Sequence, residues 1–287
     1  MVVIAVCSLK GGVGKTSVTL GLVSAARQAG LRTLVVDLDP QGDSTAGLDV
    51  DGDVTSTSAT IIDDPRRRHL RAATLRSHWS EGSAAPVDVV VGGAELARLD
   101  RTDLSTRALT SLRTVLDKVD GAYDLVVVDC PPSLGGLTRI GLAAAHRALV
   151  VTEPGVFAIA AADRALKAVH EVRSSLNPRL QPLGIVVNRL RANIGEHRYR
   201  VEELASSSGR SCSPSGSPSA RRCSAPRGPS CRSTTCATPV RGRSRGSSTA
   251  SSPTRCAPRG DVGKPDDVLT LCSNSPREPG HRLTEGG

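Results

Sequence analysis

The sequence predicts an α/β protein built on a doubly wound, mainly parallel sheet, followed by a tail of different composition. Three observations carry this expectation. Val-rich runs recur at residues 2–8, 33–37, 87–91, 124–129, 148–152 and 183–188, continuous rather than alternating, as in strands buried on both faces. Segments of helical length and periodicity stand between them, at about 16–28, 95–118, 136–146 and 157–176, the alternation that covers both sides of a parallel sheet. From residue 206 to 287 there is no Ile, Phe, Met, Trp or Tyr, and only three Val and three Leu remain.

The first strand runs into a glycine-rich loop, and the helix after it ends at Gly30. The second strand, TLVVD, leads into Asp37-Leu38-Asp39-Pro40-Gln41-Gly42. Residues 50–83 show no clear period. The run Arg66–Arg71 (RRRHLR) reads as a solvated helix face, with a nucleic-acid contact as the alternative. The net charge of +9 is not spread evenly. Residues 206–287 hold 13 Lys and Arg against 5 Asp and Glu, leaving 24 against 23 in residues 1–205. The basic character therefore belongs to the tail.

Cys7 and Cys130 lie in the body, and six cysteines lie in the tail without a CxxC pair. This pattern fits neither a disulfide framework nor a zinc site. No apolar run approaches the roughly 20 residues of a membrane-spanning helix. Met1 leads straight into the first strand, so neither a secretory leader nor an N-terminal DNA-binding extension is expected. The expectation is a cytoplasmic protein with no membrane contact.

The most informative segment is Lys10-Gly11-Gly12-Val13-Gly14-Lys15-Thr16-Ser17, between a strand and a helix. Glycines let backbone N–H groups turn inward around a phosphate chain, and the following helix start adds unpaired N–H groups. In such a loop Lys15 supplies charge to the β/γ-phosphates, the Thr16 hydroxyl is placed to ligate Mg²⁺, and Ser17 can bond the α-phosphate. Asp129 closes the apolar run 124–129, where a carboxylate beside the loop can hold the Mg²⁺ shell through water. Cys130 reads as an apolar filler, and Pro131 and Pro132 stiffen the segment after it.

The general phosphate-loop pattern wants glycine at position 9, where this chain has Leu9, and a second lysine, Lys10, opens the motif instead. This variant, with the DLDPQG and DLVVVDCPP segments, resembles the ParA/MinD class of partitioning ATPases over about residues 1–205. The resemblance implies that ATP and Mg²⁺ are bound by residues 11–17 and that Lys10 reaches across an ATP-sandwiched homodimer to the partner's phosphates. It implies that Asp39 orients the attacking water near Mg²⁺, with Thr16 and Asp129 completing the metal site. It places Asn188, at a strand end, on the adenine edge; a plain strand-end turn is the other reading of that residue. The implied activity is ATP hydrolysis in chromosome or plasmid partitioning. The implied partners are nonspecific DNA and a ParB-like protein, and the implied location is the nucleoid. A MinD-like division-site ATPase is the alternative, and it requires a C-terminal amphipathic helix.

The tail departs from the family. Residues 206–287 cannot bury enough apolar surface to offset an ordering cost of about 1–2 kcal/mol per residue, so disorder is expected. Read one nucleotide out of frame with G/C-rich codons, residues 216–223 can encode I-P-E-R-A-A-V, 229–237 V-V-P-I-H-D-L-R, and 246–254 V-F-D-G-F-L-T-D. I-P-E-R and P-I-H are late segments of the family in family order. The expectation is a body at 1–205 that lacks its C-terminal part and a tail at 206–287 in the wrong frame, with an inactive product as one consequence. A genuine basic disordered arm is the other reading.

Overall fold

The computed structural model describes residues 1–207 except Asp51, Ser83, Ala84 and Ala192. The expectations about the tail therefore lie outside the described residues. The chain alternates as expected. Strand β1 (Val2–Cys7) is followed by α1 (Lys15–Gln28), β2 (Thr33–Asp37), α2 (Asp43–Gly47), α3 (Ser58–Asp63) and α4 (Arg67–Ala72). Next come β3 (Thr74–Arg76), β4 (Val87–Val90), α5 (Thr106–Leu109), α6 (Ser111–Leu116), β5 (Leu125–Asp129) and α7 (Gly136–Ala144). Strand β6 (Arg147–Thr152), α8 (Ala158–Ser175), β7 (Gln181–Val187) and α9 (Gly195–Ser207) complete it.

The seven strands lie in the order β3-β4-β2-β5-β1-β6-β7. Every adjacent pair is parallel except β3 and β4. Strands β2, β5 and β1 are neighbours, with Val6 opposite Asp129 and Asp37 opposite Asp129. Their carboxyl ends form one edge, and three loops far apart in sequence leave it side by side. In open α/β sheets this edge, near the point where strand order reverses, is where ligands bind.

Continuous apolar strands follow from cover on both faces. Val3, Ala5 and Cys7 of β1 pack into one core cluster with α3, α6, α7 and α8, through residues such as Ile61, Leu112, Ile140 and Val169. Val6 points the other way, into a second cluster with Val18 and Val23 of α1 and Leu48 after α2. Each fully buried aliphatic side chain contributes about 1.5–3 kcal/mol of transfer free energy.

Two segments differ from expectation. Residues 95–118 do not form one helix: they divide into a 3₁₀ segment, Ala94–Leu99, and the short helices α5 and α6. The periodicity is overridden by polar side chains that find better partners. Asp100 accepts from Ser133 Oγ (2.9 Å), and Ser105 caps α5 by accepting from Ala108 N (3.3 Å). A Cβ on Gly135 would stand 2.0 Å from Asp100 Oδ1, so glycine lets this contact form. Residues 50–83, patternless in sequence, contain α3, α4 and the antiparallel edge strand β3. On α4 only Leu70 is buried, so the arginine run is the solvated helix face expected.

Helix α7 approaches the sheet closely. A Cβ on Gly141 would lie 2.7 Å from Cys130 Sγ and 3.3 Å from Val128 Cγ1. Gly141→Ala is expected to overpack this contact and lower stability by about 1–3 kcal/mol, measured by urea denaturation; an unchanged midpoint would mean that α7 can retreat freely.

Candidate active site

The loop after β1 turns through Gly12 (φ 78°) and Gly14 (φ 85°), a left-handed backbone that side chains disfavour. Gly14 is the N-cap of α1 and no side chain caps the helix there. The first-turn N–H groups of α1, with the positive end of its dipole, are thus presented at the loop. Asn188, just past β7, lies against the same loop: its Nδ2 donates to Val13 O at 2.9 Å. A Cβ on Gly14 would stand 2.1 Å from that nitrogen, so the glycine both turns the chain and admits the amide.

At the centre is a buried charge cluster. Lys15, only 6% exposed, places Nζ 2.7 Å from Asp129 Oδ1 and 3.3 Å from Asp39 Oδ2. Thr16 Oγ1 donates to Asp129 Oδ2 at 3.1 Å, and Ser44 Oγ donates to the same oxygen at 2.6 Å. Burial works against the Lys15 ammonium, but the carboxylates of Asp129 and Asp39 outweigh it and hold its pKa above the ordinary lysine value. The structure therefore brings together Lys15 and Thr16 at the start of α1, Asp39 just past β2 and Asp129 at the end of β5.

Lys10 stands apart from this cluster. It is 69% exposed and its ammonium is paired with Glu153, just past β6. Gly11, Gly12 and Ser17 are exposed on the loop and first helical turn, and Val13 is buried. Cys130 is fully buried, and burial pushes its thiol well above the usual range, in keeping with a filler. Cys7 is pushed up to about 12 for the same reason.

Sequence reasoning passed over Asp37, Ser44 and Thr45. Asp37 is buried and does not join the Lys15 cluster. Its Oδ1 accepts from Asp39 N (3.0 Å), and its Oδ2 accepts from Thr45 N (2.9 Å) and Thr45 Oγ1 (2.8 Å). Gly92 N donates to Thr45 Oγ1 at 3.1 Å, tying in the end of β4. Asp37 thus clips both ends of the segment that carries Asp39 and Ser44. Burial raises its pKa to about 6, against the opposing pull of the Thr45 hydrogen bonds. The only signal in the sequence was its position at the end of an apolar strand.

The fold and loop are those of a nucleoside-triphosphate-binding α/β protein. Residues 1–182 match the sequence profile of a family described as AAA domain. A chromosome partitioning protein ParA of Myxococcus xanthus is 34% identical over 207 residues, covering 70% of this chain and 70% of that one. This chain belongs to the ParA family of partitioning ATPases. An uncharacterized protein of Mycobacterium tuberculosis is 35% identical over 188 residues, 65% of this chain; the match spans 58% of that relative's length. Among solved structures, a cobyrinic acid a,c-diamide synthase of Mycobacterium smegmatis with bound ADP and magnesium superimposes with a TM-score of 0.64 at 29% identity. That superposition covers 72% of this chain and 82% of the other. Among the described residues, no helix is long and apolar enough to cross a membrane.

Removing one partner of a buried ion pair leaves an uncompensated charge and costs about 3–5 kcal/mol. Lys15→Ala is expected to destabilise the ligand-free protein on that scale. The double variant Lys15→Ala/Asp129→Asn should lose less than the sum of the two single changes, because the pair acts as a unit. Additive losses in denaturant titrations would show that the ion pair is not coupled.

Proposed function

We propose that this chain is an ATPase of chromosome or plasmid partitioning. In this reading it binds Mg·ATP, pairs into a nucleotide-sandwiched homodimer, binds DNA without sequence preference and hydrolyses ATP when a ParB-like partner stimulates it. Such a protein works in the cytoplasm, on the nucleoid. The observation that carries the reading is the Lys15 ammonium buried between Asp39 and Asp129 at a glycine loop that opens a helix. A buried lysine with uncapped helical N–H groups beside it suits a polyphosphate.

The residues present also fit the metal. Thr16, Asp39 and Asp129 offer only oxygen donors, the ligands a hard cation such as Mg²⁺ takes together with phosphate oxygens and water. Bound there, Mg²⁺ would supply positive charge against the phosphate oxygens.

Each remaining residue has a stated part. Gly11, Gly12, Val13, Gly14 and Ser17 wrap the phosphates through backbone N–H groups and the serine hydroxyl. Lys15 leaves its carboxylates for the β/γ-phosphates. Asp39 accepts a hydrogen bond from the attacking water and orients it. Lys10 leaves Glu153 and reaches the partner's phosphates, offsetting the charge that develops there as an arginine finger does. Asn188, already on the loop through Val13, reads the adenine edge.

We further propose that residues 1–205 form an ATPase domain lacking its C-terminal part, and that residues 206–287 are translated out of frame. Similarity to the Myxococcus protein over 70% of this chain and 70% of that one supports a related ATPase body; the composition of residues 206–287 is what suggests the change of frame.

Asp39→Ala is expected to bind ATP and dimerise but to turn over at least about 10²-fold more slowly, the low end for a positioned acid–base group. Lys10→Ala should keep nucleotide affinity and lose dimer-dependent hydrolysis. Steady-state ATPase assays beside equilibrium binding check both; full turnover in either variant removes that residue's assigned part.

Restoring the displaced frame is expected to raise stability and to give salt-sensitive DNA binding in the presence of ATP. Resequencing the gene across codons 200–260 checks the premise. Stop codons in the I-P-E-R and P-I-H frame would leave a native basic arm instead.

A further inference from the structure

The arginines on and beside α4 fall into two states. Arg66 Nε lies 2.9 Å from Asp64 Oδ1, and Arg68 Nη2 lies 3.8 Å from Asp64 Oδ2. Arg67 and Arg71 stand one helical turn apart on α4 and are exposed. Among the described residues their side chains have no ion-pair or hydrogen-bond partner. Both line a cleft of about 380 Å³ beside the edge strand β3.

A third arginine, Arg76 of β3, lines the same cleft. Its Nε donates to Asp88 Oδ1, and Tyr123 Oη donates to Asp88 Oδ2 at 2.9 Å. Arg76 is thereby held in place while most of its side chain stays in water, at 61% exposure. Asp88 is the only acid among the lining residues, so three arginines against one aspartate leave a net +2. Leu70, Val119 and Ala122 supply an apolar wall. Asp88 opens β4 and Tyr123 precedes β5, at the amino ends of those strands, whereas Lys15 meets Asp39 and Asp129 at the carboxyl ends. The cleft is thus separate from the candidate active site.

We propose that this cleft binds an acidic peptide segment of a partner protein, with carboxylates on Arg67, Arg71 and Arg76 and an apolar side chain against Leu70 and Val119. Charge complementarity fixes the sign of the occupant. The planar guanidinium fork matches a carboxylate at two points, and arginine clusters that read acidic segments are a recurring mode of peptide recognition. A single exposed ion pair contributes little, so a segment that brings several carboxylates at once fits better than a small monoanion. Nucleic acid fits less well. Asp64 compensates the neighbouring Arg66 and Arg68, Asp88 stands inside the cleft, and a phosphate backbone leaves the apolar wall unused. Arginine and tyrosine beside aliphatic residues is also the composition of protein interfaces. The proposal stands on this geometry and does not depend on nucleotide hydrolysis.

The test pans the full chain against a phage-displayed library of random peptides about a dozen residues long. The enriched peptides are expected to carry two or more Asp or Glu beside an aliphatic or aromatic residue. The best of them, synthesised with a fluorescein label, is then titrated by fluorescence anisotropy. Arg67→Ala/Arg71→Ala, at exposed and unpaired positions, should leave the thermal melt by circular dichroism unchanged and weaken this peptide by about 10-fold or more. Arg67→Gln/Arg71→Gln, which keeps much of the side-chain length, should show the same loss and replaces the alanine variant if that one unfolds. No enrichment, or enrichment without acidic residues, would overturn the proposal. So would acidic peptides that bind variant and wild type equally, the result expected if the basic residues of 206–287 captured them. A short labelled DNA duplex that displaces the peptide, and whose own binding is lost in the same variant, would make the cleft a nucleic-acid contact and overturn the peptide assignment.

Discussion

The contact on which the rest depends is the Lys15 ammonium held between Asp129 and Asp39. Two carboxylates and a lysine are taken almost wholly out of water there, and each makes the others tolerable. Burial alone would push the lysine toward neutrality; the carboxylates beside it outweigh that and hold its pKa above the ordinary lysine value. The sheet makes the meeting possible, since β1, β5 and β2 are neighbours and end at one level. Change the strand order and these residues separate, although nothing in their own segments would change.

The same contact suits a protein that exchanges a ligand. A buried ion pair is weak evidence for stability, because desolvation consumes most of the Coulombic gain. It is better regarded as a placeholder. Lys15 keeps the acids compensated in the ligand-free protein, and a polyphosphate with its cation can take over both sides of the pairing. In the proposed function that substitution is the start of the cycle. Asp37 belongs to the same economy of placement, since it accepts three hydrogen bonds from Asp39 and Thr45 and so fixes the segment on which Asp39 rides. Lys10, by contrast, is exposed and paired with Glu153. In the proposed function it acts on the phosphates of a second copy.

Much of this was legible in the chain. The buried strands are apolar on both faces and announce themselves as Val-rich runs, so β1, β2, β4, β5, β6 and β7 stand within a residue or two of expectation. The glycine loop is equally plain, because the left-handed backbone at Gly12 and Gly14 favours glycine. Less legible was whatever a distant partner decides. The period of residues 95–118 is helical, yet Asp100 bonds to Ser133 on the far side of the sequence and the helix breaks. Strand β3 has three residues and exists because β4 offers an edge.

By itself, then, the sequence determined the alternating architecture, the phosphate-type loop and the family to which they point. These are written in local patterns: hydrophobic runs, glycines at turning points, a lysine and a threonine opening a helix. The tertiary structure decided which acids meet Lys15, that Asp37 serves as a clip rather than joining them, and that Asn188 rests on Val13. It also decided that Asp64 takes up Arg66 and Arg68 while Arg67 and Arg71 line a cleft beside β3. Those facts depend on which strands lie next to one another and which loops share an edge, and long-range pairing of that kind leaves no mark on any single stretch of chain.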